Sequence, residues 1–112
     1  MNVISLTGNL CSDMKISYTK NNKAYLENTI AVRKEKKNEE GTTESDFINF
    51  VAFEKKAEYL NTYAKKGDKV EVVGKLRVDN WQTEQGEWKS RSYVVVDKVQ
   101  ILTSRPKQEN LF

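Results

Sequence analysis

Apolar and polar residues alternate along most of the chain, and this period of two is typical of half-buried β-strands. The alternation runs through residues 3–10 and resumes in the same phase at residues 14–18, after a short break. In the next such segment, Asn28 is a polar exception at an apolar position. The pattern predicts five strands, the first of them interrupted, over residues 3–18, 24–32, 46–53, 68–78 and 89–102.

One segment changes period and predicts a helix. Within residues 54–66, Ala57, Leu60 and Tyr63-Ala64 fall on one helical stripe, and the charged residues lie mostly elsewhere. Gly67 follows at a position that suits a helix end. An all-β chain of five strands, with one helix between the third and the fourth, is typical of the OB-fold, a Greek-key β-barrel that binds oligonucleotides.

The third predicted strand is apolar on both faces. Its even positions, with Phe50 at the centre, suit a core, so that Phe47, Val51 and Phe53 face outward. Exposed phenylalanines on one strand face are costly unless something covers them. A partner subunit or a helix is one possible cover, and a row of unpaired bases stacked on the rings is the other. The pattern alone favours neither.

The fourth strand and the hairpin after it carry basic residues beside tryptophans. Lys75, Arg77 and Trp81 share the outward face, a combination that suits phosphates together with bases. The alternative is that Trp81 closes an open end of the barrel and that the two cations are merely solvated. Trp88 sits across the predicted hairpin tip, where it either stacks on a base or pairs with Trp81 across the strands.

Further basic residues are candidates for phosphate contacts. Lys89 and Arg91 follow Trp88 in the last strand. The segment 33–45 is charged and lacks large apolar residues, so we expect a long, mobile hairpin loop there. Such a run is usually a solvated loop, and a flexible basic finger over a nucleic acid is the alternative. Its cations, which we include among the candidate phosphate contacts, are Arg33, Lys34, Lys36 and Lys37.

Composition narrows the class of function. The chain has 112 residues, enough for one domain, and a net charge of +3, which permits an anionic partner without demanding one. It has no histidine and one cysteine, Cys11, which excludes Ser–His, Cys–His and cysteine-based zinc sites within it. We therefore predict no enzyme, no metal site and no cofactor. One cysteine and no disulfide framework fit a reducing cytosol, so we also predict a cytoplasmic protein. Because the chain has neither a long apolar run nor a signal peptide, we expect no membrane partner.

Several stretches together resemble the bacterial single-stranded DNA-binding protein family over residues 2–102. These stretches are NVISLTGNL followed by Asp13, NTIAV at 28–32, DFINFVAF at 46–53, KAE and YAKKG in the helix, and VGKLR with Trp81. Each stretch alone is unspecific, and their combination is specific. The resemblance implies an OB-fold.

The same resemblance implies a protein that binds single-stranded DNA with little sequence preference during replication, recombination and repair. It implies a homotetramer, built as a dimer of dimers, with replication or recombination proteins as further partners. It puts Phe47, Phe53 and Trp81 at base-stacking positions, and these are residues that the pattern leaves exposed. Family members often carry another aromatic residue near the position of Lys36. In this chain we expect either the charges around Lys36 or the ring of Trp88 to take the place of that aromatic residue.

The predicted domain covers residues 1–103, and residues 104–112 form a short polar tail. The tail ends in Leu111-Phe112 with one acidic residue, whereas cellular family members carry a long linker and an acidic tip. This short form resembles viral or plasmid-encoded members. An RNA-binding OB-fold module and a protein-interaction barrel remain the alternatives, because base stacking alone does not separate DNA from RNA.

Overall fold

Six strands and one helix make up the part of the chain that this computed structural model describes, residues 1–37 and 39–103. The elements are β1 (Ile4–Leu10), β2 (Ile16–Tyr18), β3 (Ala24–Lys37), β4 (Thr43–Phe53), α1 (Lys55–Tyr63), β5 (Lys69–Gln82) and β6 (Trp88–Ile101). The interrupted first strand of the sequence analysis is β1 with β2, and the later strands are β3 to β6. The helix predicted between the third and fourth strands is therefore α1. The predicted tail, residues 104–112, lies outside the described residues.

The sheet closes on itself. Its strand order is β1-β5-β6-β4-β3-β2, and β1 also pairs with β3 through Asn9 and Leu10. Strands β1, β5, β6, β4 and β3 thus form a closed barrel, while β2 extends the sheet beside β3. All pairings are antiparallel except that of β4 with β6, which run parallel at Phe50 and Val51. This architecture confirms the predicted OB-fold.

The barrel interior is filled by side chains that the alternation assigns to it. Phe50, Leu26 and Ile30 are almost completely buried. The helix α1 packs against β3, β4 and β6, and Ala57, Leu60 and Ala64 join the same core as predicted. Tyr63, predicted on the same stripe, is exposed instead. Burial of each large apolar side chain contributes about 1.5–3 kcal/mol, so this core supplies the main stabilisation of the barrel.

Two glycines mark places where strands come very close together. A Cβ on Gly8 would meet the backbone of β3, where the barrel closes, and a Cβ on Gly74 would meet the backbone of β6. The β5–β6 register shifts directly beside Gly74. Because of this β-bulge, the even positions of β6 point inward up to Val96, and the odd positions point inward from Val99 onward. One simple alternation therefore does not describe the whole strand.

The prediction of a long mobile loop over residues 33–45 is wrong. Strands β3 and β4 continue to pair as far as Lys37 and Thr43. Opposite charges face each other across these strands, and Lys34 Nζ lies 3.5 Å from a carboxylate oxygen of Glu44. Such cross-strand pairs favour a hairpin even where apolar residues are missing. We call residues 33–37 and 39–46 the β3–β4 arm.

The second hairpin is also longer than predicted. Strands β5 and β6 pair as far as Gln82 and Trp88, well beyond Val78. Gly86, with φ of 85°, provides the left-handed turn that joins them. Every residue from Lys75 to Gln82 is exposed, so this hairpin extends away from the barrel core. We call residues 75–93 the β5–β6 arm.

The buried Asn28 has a structural reason. Its Oδ1 accepts a hydrogen bond from the Ser12 N–H at 3.2 Å, and its Nδ2 donates to the Ser12 carbonyl at 3.0 Å. The Oδ1 also accepts from the Thr29 N–H at 2.7 Å. The polar exception in β3 therefore fixes the chain segment that follows β1, and its own polar atoms are satisfied.

Candidate nucleic-acid interface

A groove crosses the outside of the barrel over β3, β4 and β6. Cross-strand partners point to the same side of a sheet, so the pairing of Tyr25 with Phe53 puts the odd positions of β3 and β4 on this face. The parallel β4–β6 pairing adds the odd positions in the first half of β6. Three adjoining depressions of about 280, 330 and 390 Å³ follow this face, and Arg91 and Tyr93 line all three. We call this surface, from Phe47 to Phe53 along β4, the outer groove.

A phenylalanine stands near each end of the outer groove. Phe47 is 70% exposed and lines the largest of the three depressions. Phe53 is half-buried because its ring packs against Tyr25, with centroids 6.4 Å apart and planes tilted by 40°. Both residues face outward as predicted, one as an open ring and the other as part of an aromatic pair. Open ring faces are surfaces on which unpaired bases can stack.

Val51 also faces outward as predicted, but neighbouring side chains cover it. It is 7% exposed, because Glu27, Arg91 and Tyr93 line the same depressions and lie around it. An outward-facing residue is thus buried by side chains from β3 and β6. The outer groove consequently has an apolar floor between charged and aromatic walls.

The β5–β6 arm borders the outer groove and carries Trp81. Arg77 pairs with Tyr93, a groove residue, and Trp81 pairs with Lys89. Because alternate residues share a face, Lys75 and Arg77 lie on the same side as Trp81, as predicted. Trp81 is 44% exposed and lies outside the core cluster, so it does not close an end of the barrel.

Trp88 lies on the other face of this arm. It pairs with Gln82 rather than with Trp81, and successive residues of a strand point to opposite faces. The register therefore excludes the alternative in which the two tryptophans pair across the strands, because Trp81 lies opposite Lys89. Trp88 is 72% exposed and shares its face with the exposed Leu76 and Val78. The base stacking predicted for it requires a strand on that face, which borders the outer groove at Leu76.

The candidate phosphate contacts are distributed over both arms. Those that face the outer groove or its border are Arg33, Lys75, Arg77, Lys89 and Arg91. Lys34 points to the opposite face, where its Nζ lies 3.5 Å from Glu44 and 3.6 Å from Asp46. Lys36 and Lys37 are exposed beyond a register irregularity in the β3–β4 arm.

Arg91 is held by two groove residues that the sequence analysis missed. Its Nη2 lies 3.6 Å from Oε2 of Glu27, and its guanidinium carbon lies 5.0 Å from the ring centre of Tyr93. Glu27, Tyr25 and Tyr93 stand at odd positions, opposite to the inward phase of their strands. Their outward position in the alternation is the signal that could have identified these three residues, since the same criterion identified Phe47 and Phe53.

Two other kinds of site are missing from residues 1–37 and 39–103. No three carboxylate or thiol side chains there are grouped as a metal site requires, and no helix there is long and apolar enough to cross a membrane. The outer groove instead offers ring faces for stacking and cations for anionic ligands.

A closed five-stranded barrel whose outer face combines aromatic and basic side chains defines the oligonucleotide-binding class of OB-fold proteins. Residues 1–102 match the model of the Single-strand binding protein family. The chain belongs to this family, which confirms the resemblance noted in its sequence and agrees with the prediction of a non-enzymatic protein.

Bacterial relatives align along nearly the whole chain. The single-stranded DNA-binding protein of Streptococcus mutans is 37% identical over 109 residues, which cover 97% of this chain and 66% of that protein. Single-stranded DNA-binding protein 1 of Streptococcus pyogenes is 36% identical over 110 residues, which cover 98% and 85%. These relatives are bacterial, and the predicted resemblance to viral or plasmid-encoded members stays a prediction.

A solved structure shares the fold. The Plasmodium falciparum SSB complex with ssDNA superposes with a TM-score of 0.81 over 92% of this chain and 96% of that one. The sequence identity is 17%, so the likeness concerns the barrel architecture alone.

Proposed function

We propose that this chain binds single-stranded DNA with little sequence preference, and that it protects and unfolds exposed strands during replication, recombination and repair. The observation that carries the proposal is the outer groove, which runs from the open ring of Phe47 to the Tyr25–Phe53 pair. Membership of the Single-strand binding protein family and the names of the bacterial relatives support the same function.

Stacking provides the sequence-independent part of the binding. Every base has a π-face, so a strand of any sequence can stack on Phe47, Phe53 and Trp81. Two of these rings lie in the outer groove and the third lies on the arm beside it. The strand therefore passes along β4 and turns onto the β5–β6 arm.

Basic side chains hold the phosphates of the same strand. Lys75 and Arg77 share the face of Trp81, and Lys89 lies directly opposite that tryptophan. Arg33, which belongs to the β3–β4 arm, lies on the opposite side of the outer groove. Each phosphate contact releases condensed counterions, so affinity falls with salt with a slope of about −0.7 per phosphate for single strands.

Assembly into a homotetramer, as a dimer of dimers, is part of the proposal. On the side away from β5, the described part of β1 pairs only at Asn9 and Leu10, which leaves an open edge beside Ile4 and Leu6. Open edges favour pairing with a second chain. The apolar face of Leu76, Val78 and Trp88 supports a further subunit contact. Light scattering that detects only a 13.0 kDa species at micromolar concentration contradicts the tetramer.

The decisive experiment is a titration of the whole chain with oligo-thymidine while tryptophan fluorescence is recorded. Stacking on Trp81 quenches its emission, whereas a protein-interaction barrel leaves the emission unchanged. A matched uridine oligonucleotide tests the RNA-binding alternative, because a DNA-binding protein holds the thymidine strand more tightly. A cytoplasmic location and contacts with replication or recombination proteins complete the proposal, and co-precipitation with DNA from cells tests them.

A further inference from the structure

Glu27 is a carboxylate inside a groove that we propose for a polyanion. It lines two of the three depressions of the outer groove, next to the buried Val51. Its Oε2 lies 3.6 Å from Nη2 of Arg91. An acidic side chain at this position repels phosphates, so its presence in the outer groove needs a physical explanation.

The Arg91 side chain reaches across the groove floor to meet this carboxylate. Strand β4 lies between β3, which carries Glu27, and β6, which carries Arg91. In the β5–β6 register Arg91 stands directly opposite Asp79, yet its ion pair is with Glu27. Its guanidinium covers the ring of Tyr93 at 5.0 Å, in depressions that Val51 also lines.

We propose that Arg91 and Tyr93 form a subsite for one nucleotide of the single strand, and that Glu27 keeps this subsite closed in the free protein. When a strand binds, a phosphate replaces the carboxylate as the partner of Arg91. The guanidinium then leaves the face of Tyr93, and a base stacks on the ring. This inference rests on the proposed function and assigns Glu27, Arg91 and Tyr93 their parts in it.

The exchange is energetically feasible because neither starting contact is strong. The side chains of Arg91 and Glu27 are 52% and 56% exposed, and exposed ion pairs contribute little to stability. A phosphate offers Arg91 the same type of charged partner, and a base offers Tyr93 a flat ring in place of the guanidinium. The cost of the exchange is that the Glu27 carboxylate stays unpaired beside the bound strand.

Removal of that carboxylate tests the proposal. In Glu27→Gln, Arg91 no longer needs to exchange partners, so affinity for oligo-thymidine should rise about two- to fivefold, the value of one exposed ion pair. The salt dependence should steepen by up to about 0.7 in slope, because one more phosphate is neutralised fully. The matched control is Glu71→Gln, which removes the same charge from an exposed position on β5 outside the outer groove.

Variants of the other two residues complete the experiment. Arg91→Gln should weaken binding about three- to tenfold and make the salt dependence shallower by about 0.7 in slope. Tyr93→Leu keeps most of the side-chain volume but removes the ring, and it should weaken binding at least fivefold. The gain from Glu27→Gln should be smaller when combined with Arg91→Gln. Fluorescence anisotropy with labelled oligo-thymidine measures each affinity, and thermal melts verify that each variant is folded.

Three results would overturn the inference while leaving the proposed function intact. Equal gains from Glu27→Gln and Glu71→Gln would mean that only net charge matters. A gain from Glu27→Gln that is the same with and without Arg91 would mean that the carboxylate does not act through the guanidinium. Normal affinity of Tyr93→Leu would mean that no base uses that ring. If the unchanged protein fails to bind oligo-thymidine at any salt concentration, the proposed function itself has failed.

Discussion

Two phenylalanines on β4 allow the same substitution to be tested on opposite faces of one strand. Phe50 is 1% exposed and lies at the centre of the core, whereas Phe47 is 70% exposed in the outer groove. Replacement of each by alanine removes the same atoms. We expect Phe50→Ala to lower stability with little direct effect on binding, and Phe47→Ala to do the opposite.

The magnitudes follow from burial. Truncation of a buried phenylalanine costs roughly 3–5 kcal/mol, through lost transfer energy and the cavity left behind. Less than a third of the Phe47 ring is covered, so a full burial value of about 1.5–3 kcal/mol scales to roughly 0.5–1 kcal/mol. Stacking of one base is worth about 1–3 kcal/mol, so Phe47→Ala should weaken oligo-thymidine binding by roughly five- to a hundredfold.

Urea unfolding and anisotropy titrations, both at one protein concentration, measure the two effects. The concentration must be held fixed because assembly changes apparent stability. If Phe50→Ala does not fold, Phe50→Leu provides a milder change at the same site. The reasoning is refuted if Phe47→Ala destabilises the fold as much as the Phe50 variant does, while the folded fraction binds normally. That result would mean that the two faces of β4 have been assigned in reverse.

Three further predictions concern the arms and the barrel joints. Asn28→Ala should lower the free energy of unfolding by about 1–2 kcal/mol in urea titrations, because the buried Asn28 amide no longer holds the backbone N–H and carbonyl of Ser12. Gly74→Ala should lower the melting temperature by several degrees, since its Cβ would meet the rigid backbone of β6; an unchanged melt would contradict this close approach. Trp88→Phe should retain most of the fluorescence quenching by oligo-thymidine and Trp81→Phe should lose it; the reverse would place the strand on the other face of the arm.

Alternation along the sequence was sufficient to predict the strands and the core because the barrel buries one face of each strand. Phe50, Leu26 and Ile30 could be assigned from phase alone. The two arms could not be predicted in this way. The charged segment that follows Val32 has no alternation of apolar and polar residues. Backbone pairing and charges on opposite strands hold it as a hairpin instead, and these depend on register rather than on composition.

The candidate site was predictable to the extent that it consists of outward residues on one strand. The alternation of apolar and polar positions predicted that Phe47, Phe53 and Trp81 would face outward. It could not predict that Glu27 and Arg91, far apart in the sequence, meet across β4. It also could not decide whether Trp88 pairs with Trp81, because a hairpin register cannot be known before its turn length is known.

The separation of the two faces has a consequence for how this protein can combine stability with binding. The core is closed by α1 and by the β1–β3 pairing, so the barrel interior is filled without a ligand. The outer face is therefore free to keep an exposed ring at Phe47 and a weak ion pair at Arg91, neither of which the fold requires. Substitutions of the exposed side chains of the outer groove should consequently change affinity over a wide range with little change in unfolding free energy, whereas core substitutions should do the reverse.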